Sequence, residues 1–392
     1  MNFESATQAS RVKTNRRLLA LLSIGHLVTD MNQGALPALL PFLRGPFDLS
    51  YTSAGIIILV ANLTSSVIQP VFGYLSDRKS IRLLLPWGVL LAAIGLGFSG
   101  TAPNYVVLLL LVALAGVGVA AYHPEGYKSA FQVAGSKTAT GLSFFTVGGN
   151  FGIALGPPAI TLLMSLFGLP GTLGLLGPGL LVAAALALAL PALAAAQPEG
   201  ERAAEKTESR KPMRWAMALL VGVVILRSWS QLGLVSFIPF YYVDLLKSDP
   251  RVVGPLLFVF LASGAVGTLV GGPLADRWGA RRYIILSLLT AAPSTGVFLL
   301  LRGWPAFLAL AIVGFALVST FSLTVVLAQR YLPKSLGMAS GLTVGFAIGT
   351  GGIGVALLGW VADHFGLQLT LALTAVMPLV ASGLASLLPK ER

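Results

Sequence analysis

Apolar runs of about twenty residues recur along the whole chain, separated by short charged or Pro/Gly-containing breaks. A hydrocarbon core about 30 Å thick takes roughly twenty helical residues to cross, so each run is long enough to span a bilayer. Twelve such spans are predicted, starting near Leu18, Tyr51, Leu83, Tyr105, Thr138, Thr172, Trp215, Val252, Tyr283, Pro305, Leu336 and Leu367. The one long hydrophilic stretch, Ala195 to Pro212, is rich in Ala, Glu, Lys and Arg and has no apolar face, so it reads as a linker. The expected organisation is a cytoplasmic segment 1–17, a six-helix bundle 18–195, a cytoplasmic linker 196–214 and a second six-helix bundle 215–392. The fold class is an all-α membrane protein with 12 transmembrane helices in two pseudo-symmetric six-helix bundles.

Composition agrees with that pattern: 56% of the 392 residues are hydrophobic and 10% charged, against roughly 25% charged in soluble domains. The first run is too long for a signal peptide and is followed by many like it. A net charge of +12 would suggest nucleic acid in a soluble protein, but here the basic residues segregate. With a cytoplasmic N-terminus, only Arg44, Lys247, Arg251 and Arg302 fall outside and Arg227 within a span, leaving 21 of the 26 inside. Both termini are therefore expected in the cytoplasm, in a multi-pass protein of the inner (plasma) membrane with no nucleic-acid partner. There is no cysteine, and His26, His123 and His364 show no metal-ligand spacing, so neither metal nor cofactor is expected. No H-E-x-x-H, P-loop or G-x-S-x-G constellation is present, which argues against an enzyme.

The chain repeats itself. "GYLSDRKSIR" after span 2 recurs as "GPLADRWGARR" after span 8, and "TGLSFFTVGGNFG" in span 5 recurs as "SGLTVGFAIGTGG" in span 11. Parallel six-helix repeats build many secondary transporters, whose substrate site lies at the midplane between the halves.

Polar residues at membrane depth are the candidates for chemistry. A charge near a helix centre costs about 2.5–3.5 kcal/mol on insertion scales, so Asp30 and Arg227 are expected to line a cavity. In span 1, His26, Asp30, Gln33 and Pro37 follow at i, i+4, i+7 and i+11 and share one face, whereas Asn32 is rotated away toward a neighbouring helix. Two roles stand open for His26 and Asp30: a proton-coupling pair, since burial and proximity oppose each other and leave the couple able to exchange a proton, or a structural hydrogen bond. In span 7, the counterpart of span 1, Arg227 and Gln231 are four apart with Trp229 beside them. Arg227 is either a permanent counter-ion for Asp30 or an anchor for an anionic substrate. Span 2 offers Asn62, Ser66 and Gln69, leading to Gly73. "YHPEG" ends span 4, where Pro124 is expected to break the helix, placing His123 and Glu125 near the cytoplasmic mouth or just inside it; Glu125 either pairs with Arg78 or Arg82 or is a second proton site. Gly148, Gly149, Gly152 and Gly156 suit close helix packing. The proton-coupling candidates are thus Asp30, His26 and Glu125. The substrate-binding candidates are Arg227, Gln33, Gln231, Trp229, Asn62, Gln69, His123 and Asn150.

The two G-x-x-x-D-R loops resemble motif A of the major facilitator superfamily, more fully in the second copy, where Gly279, Arg281 and Arg282 follow; Ser80 replaces the glycine in the first. "GIALGPP", Gly152 to Pro158, resembles part of motif C of the superfamily's antiporters, with Ile160 and Thr161 where a glycine pair is expected. More locally, "PALLPFL", "SSVIQPVFGYLSD", "YHPEGYKSA" and "GGNFGIALGPP" resemble the fosmidomycin-resistance type of efflux permease. The resemblance implies a gate formed by Gly73, Asp77, Arg78, Arg82, Asp276 and Arg277, the first copy latching the halves while the cavity faces outward. Independently, a carboxylate at such a position suits a helix N-terminus or nearby arginines. It also implies export of drug-like amphiphiles or phosphonate-like anions by proton antiport with alternating access. The alternative is an importer or uniporter of an organic anion such as a carboxylate or sugar phosphate. The implied partners are a small-molecule substrate, protons and the lipid bilayer, for a monomer. Motif B's arginine would fall at Val112, so any proton chemistry rests on His26, Asp30 and Glu125.

Overall fold

The computed structural model of the protein describes residues 14–78, 81–135, 138–196, 213–332, 338–339, 341–347 and 349–390. The expected N-terminal segment up to residue 13 and the linker over 197–212 lie outside them. Among the described residues the regular structure is entirely helical. The N-terminal helices are α1 (Arg16–Arg44), α2 (Tyr51–Asn62), α3 (Gln69–Arg78), α4 (Leu84–Gly97), α5 (Tyr105–Ala134), α6 (Thr138–Phe167) and α7 (Leu176–Ala195). The C-terminal helices are α8 (Arg214–Phe240), α9 (Val253–Trp278), α10 (Ala280–Leu300), α11 (Trp304–Ser319), α12 (Phe321–Tyr331), α13 (Gly351–Phe365) and α14 (Leu367–Ser386). A π-helical turn, Leu63–Val67, follows α2, and another, Gly341–Ala347, precedes α13.

Local sequence explains several starts. The side chains of Asn15, Ser50 and Asn104 accept from the amides of Leu18, Ser53 and Val107 at 3.2, 3.1 and 3.0 Å, satisfying donors that the first turn leaves open. Ten helical stretches among the described residues are long and apolar enough to cross a membrane. α1 is not among them, because His26, Asp30, Asn32 and Gln33 lower its hydropathy, and α13 is only 15 residues long.

α1 and α6 form a tight seam. A Cβ on Gly148, Gly152 or Gly156 of α6 would run into the α1 backbone at Ser23, Leu27 and Met31, and one on Gly34 of α1 into Ile153. The stripe of small residues lets the two backbones touch, which is how helices associate where no hydrophobic gain from water is available.

Between the N- and C-terminal helices the contacts are exchanged in pairs: α2 packs on α13, and α6 on α9. Since the sequence repeat relates span 2 to span 8 and span 5 to span 11, this is the pairing a twofold arrangement demands. Among the described residues the two sets are tied by polar side chains at one end. There Arg44 pairs with Asp244, whose Oδ2 also accepts from the Tyr51 hydroxyl at 3.1 Å. Asp363 accepts from the amides of Tyr51 and Thr52, both at 2.8 Å, and from the Thr52 hydroxyl at 2.5 Å. A Cβ on Gly254 would press on Pro158 and Thr161 at 2.9 Å. Toward the other end, which carries the loops after α3 and α9, α6 and α9 part around a cavity of about 450 Å³ lined by Ser143, Thr146, Asn150, Phe151, Ala265 and Thr268 among others.

Candidate functional site

The polar face of α1 closes on a buried cluster. His26 Nε2 lies 3.3 Å from Asp30 Oδ2, as the i, i+4 spacing allows, and His123 Nε2 of α5 lies 3.3 Å from Asp30 Oδ1. His26 and Asp30 are 3% and 4% exposed, so water does not solvate the carboxylate and its two histidines must. Each ring is held from behind: His26 Nδ1 meets the Phe145 carbonyl at 2.9 Å and His123 Nδ1 the Val119 carbonyl at 2.8 Å. Phe145 stacks on His26 with centroids 4.2 Å apart, and His123 meets the His26 ring edge-on at 4.9 Å. A Cβ on Gly149 would fall on the His26 ring and 2.7 Å from Asp30 Oδ2, so only glycine lets α6 close over the pair.

The ligand atoms of His26, Asp30 and His123 lie within 4.8 Å of one another. Spacing along the chain did not reveal this proximity. Three donors fall one short of a closed structural zinc site.

Arg227 sits apart from this cluster. It is 2% exposed, donates through Nη1 to Gln231 Oε1 at 3.2 Å and to the Leu317 carbonyl at 3.4 Å, and lies 5.9 Å from the Phe321 ring. No carboxylate pairs with it among the described residues. The counter-ion role for Asp30 is therefore not realised: the acid lies 3.3 Å from two histidines of its own half, and the guanidinium is bonded to an amide and a carbonyl of the other. Its Nε has no hydrogen-bond partner. A buried cation so placed can receive an anion.

The remaining candidates divide. Gln33 is exposed and lines a small pocket with Asn32, Ser65 and Gly116. Asn32 differs from expectation: its amide donates to the Val28 carbonyl of its own helix at 2.8 Å. Asn150 lines the large cavity. Trp229 donates to the Thr350 hydroxyl at 3.3 Å and packs over Gly354. Asn62 accepts from Ser66 at 3.3 Å, but the π turn inserts a residue before Gln69 and breaks the regular row expected along span 2.

At the loop after α3, Glu125 is fully buried and accepts from the Ser76 hydroxyl at 2.5 Å and the Ile81 amide at 3.3 Å, while Lys128 donates to the Ser76 carbonyl. Gly73 lies open against Pro124. Arg82 buries Nε and Nη2 without a hydrogen-bond partner. The side chains of Asp77 and Arg78 lie outside the described residues, so that part of the gate expectation has no counterpart here. Asp276 and Arg277 are exposed at the end of α9.

The profile of the Major Facilitator Superfamily matches residues 22–344 and 223–392. The chain belongs to the major facilitator superfamily. It is a multi-pass membrane transporter and not an enzyme. This facilitator is 35% identical to the MFS-type transporter YfnC of Bacillus subtilis over 96% of its own length and 93% of the relative's. It is 33% identical to the fosmidomycin resistance protein of Escherichia coli, over 99% of this chain and 96% of that one. A bacterial homologue of the human lysosomal transporter Spinster, solved inward-facing and unoccupied, superposes with a TM-score of 0.76 at 16% identity, covering 94% of this chain and 95% of that one. The nucleoside transporter NupG superposes with a TM-score of 0.74 at 15% identity, over 95% and 100%.

Two features of this facilitator escaped the sequence reading. His123 belongs with Asp30 and not with a separate substrate surface, and α5 does not end at Pro124 as expected but carries it inside a helix that runs on to Ala134. The closed end is held by Arg44, Tyr51, Asp244 and Asp363, none of which stood out. Arg44 and Asp244 are 200 positions apart, the offset of the internal repeat.

Proposed function

We propose that this facilitator is a proton-coupled exporter of small amphipathic or phosphonate-like anionic molecules, working by alternating access in the inner (plasma) membrane as a monomer. On this reading α1 and α13 complete a set of twelve spans, both termini are cytoplasmic, and the cavity between α6 and α9 opens to the cytoplasm. The observation that carries the reading is the buried His26–Asp30–His123 cluster: three titratable groups close together, inside a transporter fold, with neither lysine nor arginine bonded to them among the described residues. Such a cluster alternates between protonated and deprotonated forms, and each form favours a different arrangement around it. Arg227, with no carboxylate partner among the described residues, is the anchor for the anionic group of the substrate. Resemblance over nearly the whole chain to a fosmidomycin resistance protein supports efflux and an anionic substrate. Glu125, bonded to the loop after α3, links the helix carrying His123 to the gate region.

The test uses the purified full chain in liposomes with fosmidomycin as probe and a pH-sensitive dye inside. Fosmidomycin added under a pH gradient drives proton movement in the unsubstituted protein. Asp30→Asn binds the probe but moves no protons. Full proton movement in Asp30→Asn would overturn the coupling role.

A further inference from the structure

Hydrogen bookkeeping takes the cluster further than a single proton site. All four ring nitrogens of His26 and His123 face oxygen atoms. Two of these, the Phe145 and Val119 carbonyls at 2.9 and 2.8 Å, only accept hydrogen bonds. The other two are the oxygens of Asp30, at 3.3 Å from each Nε2, and they too only accept while the carboxylate is ionised. Two neutral imidazoles carry two hydrogens in all, one per ring. Placing a hydrogen in each of the four close contacts, two of them 3.3 Å ion-pair separations, requires four. Whichever tautomer each ring adopts, two contacts are left with lone pair against lone pair until two further protons enter.

We propose that His26, Asp30 and His123 form a two-proton store, with His123 as an equal partner of His26. The inference rests on the proton-coupled reading above and adds to it the number of protons and the second histidine. Empty, the cluster carries a charge of −1; with one proton it is neutral; with two it carries +1, as two imidazoliums flanking one carboxylate. Neither ring turns away from its carboxylate oxygen without giving up its carbonyl, and the stacked Phe145 and close-packed Gly149 hold His26 in place.

Among the described residues the surroundings supply no competing charge. From α5, Tyr122 donates its hydroxyl to the Leu22 carbonyl at 2.6 Å, and Tyr127 lies 3.5 Å from the Thr146 hydroxyl with its ring 5.8 Å from that of His26. Glu125 on the same helix is engaged with Ser76 and Ile81. α4 and α7 carry no titratable side chain, and α6 presents the Phe145 carbonyl and Gly149. Tyr51 of α2, Arg214 and Arg227 of α8, and Asp276 and Arg277 of α9 make no bond to the cluster. The two protons therefore have no other basic group to share.

The chain has only three histidines, which makes the count measurable. The experiment is a pH titration of the chelator-washed full chain in lipid nanodiscs, labelled with ¹⁵N-histidine, with proton uptake followed in parallel. His364→Gln and the single substitutions His26→Gln and His123→Gln assign the signals. The expected result is that His26 and His123 both pass from singly to doubly protonated rings in two linked steps, with an uptake of two protons by the cluster, counted in the His364→Gln background. In Asp30→Asn the amide NH₂ donates to one Nε2, so the uptake falls to one. A ring of His26 or His123 that stays singly protonated throughout, or an uptake of one by the cluster in the His364→Gln background, overturns the store. Should that occur while Asp30→Asn still abolishes proton movement in liposomes, the coupled reading survives without it. Two linked protonations with no probe-driven proton movement would uphold the store and sink the coupling. The titration in the His364→Gln background decides the matter even if a variant within the cluster fails to fold.

Discussion

The closed end offers the sharpest quantitative test. Asp363, at the end of α13, caps the first turn of α2 across the interface: it takes two backbone amides and one hydroxyl that α2 leaves without partners. Opening the molecule at this end separates the carboxylate from all three. Asp363→Ala removes the cap in the closed state and costs nothing once the end is open, so its whole effect is a shift of the equilibrium. Replacing an N-cap by Ala costs about 0.5–2 kcal/mol. Asp363 is largely exposed, and solvent screening puts the expected value near the middle of that range, about 1 kcal/mol. That is roughly a fivefold shift toward the form open at this end. The chain contains no cysteine, so paired spin labels report without background. One pair, at Pro46 and Leu245, spans the closed end; another, at Val147 and Val266, spans the cavity. Electron–electron distance distributions in Asp363→Ala are expected to gain a longer population at the first pair and a shorter one at the second, by the same fraction. Unchanged distributions in a folded variant would refute the latch, and lengthening at both pairs would show loosening instead of exchange.

Three further substitutions test other parts. Gly149→Ala places a methyl on the His26 ring and Asp30; proton movement in liposomes is expected to fall at least tenfold while the protein stays folded, as circular dichroism will show. Gly152→Ala drives a methyl into the Leu27 backbone of α1, an overpacking worth about 1–3 kcal/mol, read as a lowered midpoint of thermal unfolding in detergent. Arg227→Lys keeps the charge but loses the planar fork, and is expected to weaken fosmidomycin binding about tenfold by calorimetry; Arg227→Gln weakens it further, and unaltered affinity in both would remove Arg227 from the substrate site.

Much of this was legible in the chain, and the illegible parts share a cause. The helices, the internal repeat and the His26–Asp30 pair follow from local periodicity: spans of bilayer length, an offset near 200, and a spacing of four. The glycine seam between α1 and α6 could be suspected from Gly148, Gly152 and Gly156, though not which helix they face. The His123–Asp30 contact depends on how α5 crosses α1, which no local pattern encodes. Symmetry also misled: Arg227 occupies the place in α8 that the polar face occupies in α1, which suggested a meeting with Asp30, yet each charge found its partners inside its own half. Desolvating a charge favours the nearest good donor or acceptor, and those are intra-half side chains and carbonyls. Arg44 read only as one of the few basic residues outside, and Asp244 drew no reading, because neither was singled out as a charge at membrane depth.

The placement of the cluster constrains how protons act on the rest of the molecule. All three of its residues belong to N-terminal helices, so loading it changes no ion pair across the interface directly. One helix touches everything that matters. α6 receives the His26 ring on the Phe145 carbonyl and closes over the pair at Gly149. One residue further on, Asn150 and Phe151 line the cavity facing α9. Two turns beyond, Pro158 and Thr161 pack on Gly254 at the closed end. A charge change of the cluster thus acts on a rigid element that lines the cavity and abuts the opposite half. Because α6 contacts α1 through bare backbone, even a small rotation has no side chain to absorb it. It follows that Gly149→Ala and Gly152→Ala, one turn apart, should separate: the first uncouples proton movement from binding, whereas the second lowers stability with coupling intact in the surviving folded protein. If both fail in the same way, α6 is a packing element only, and the signal must travel by α5 and the Glu125 contacts instead.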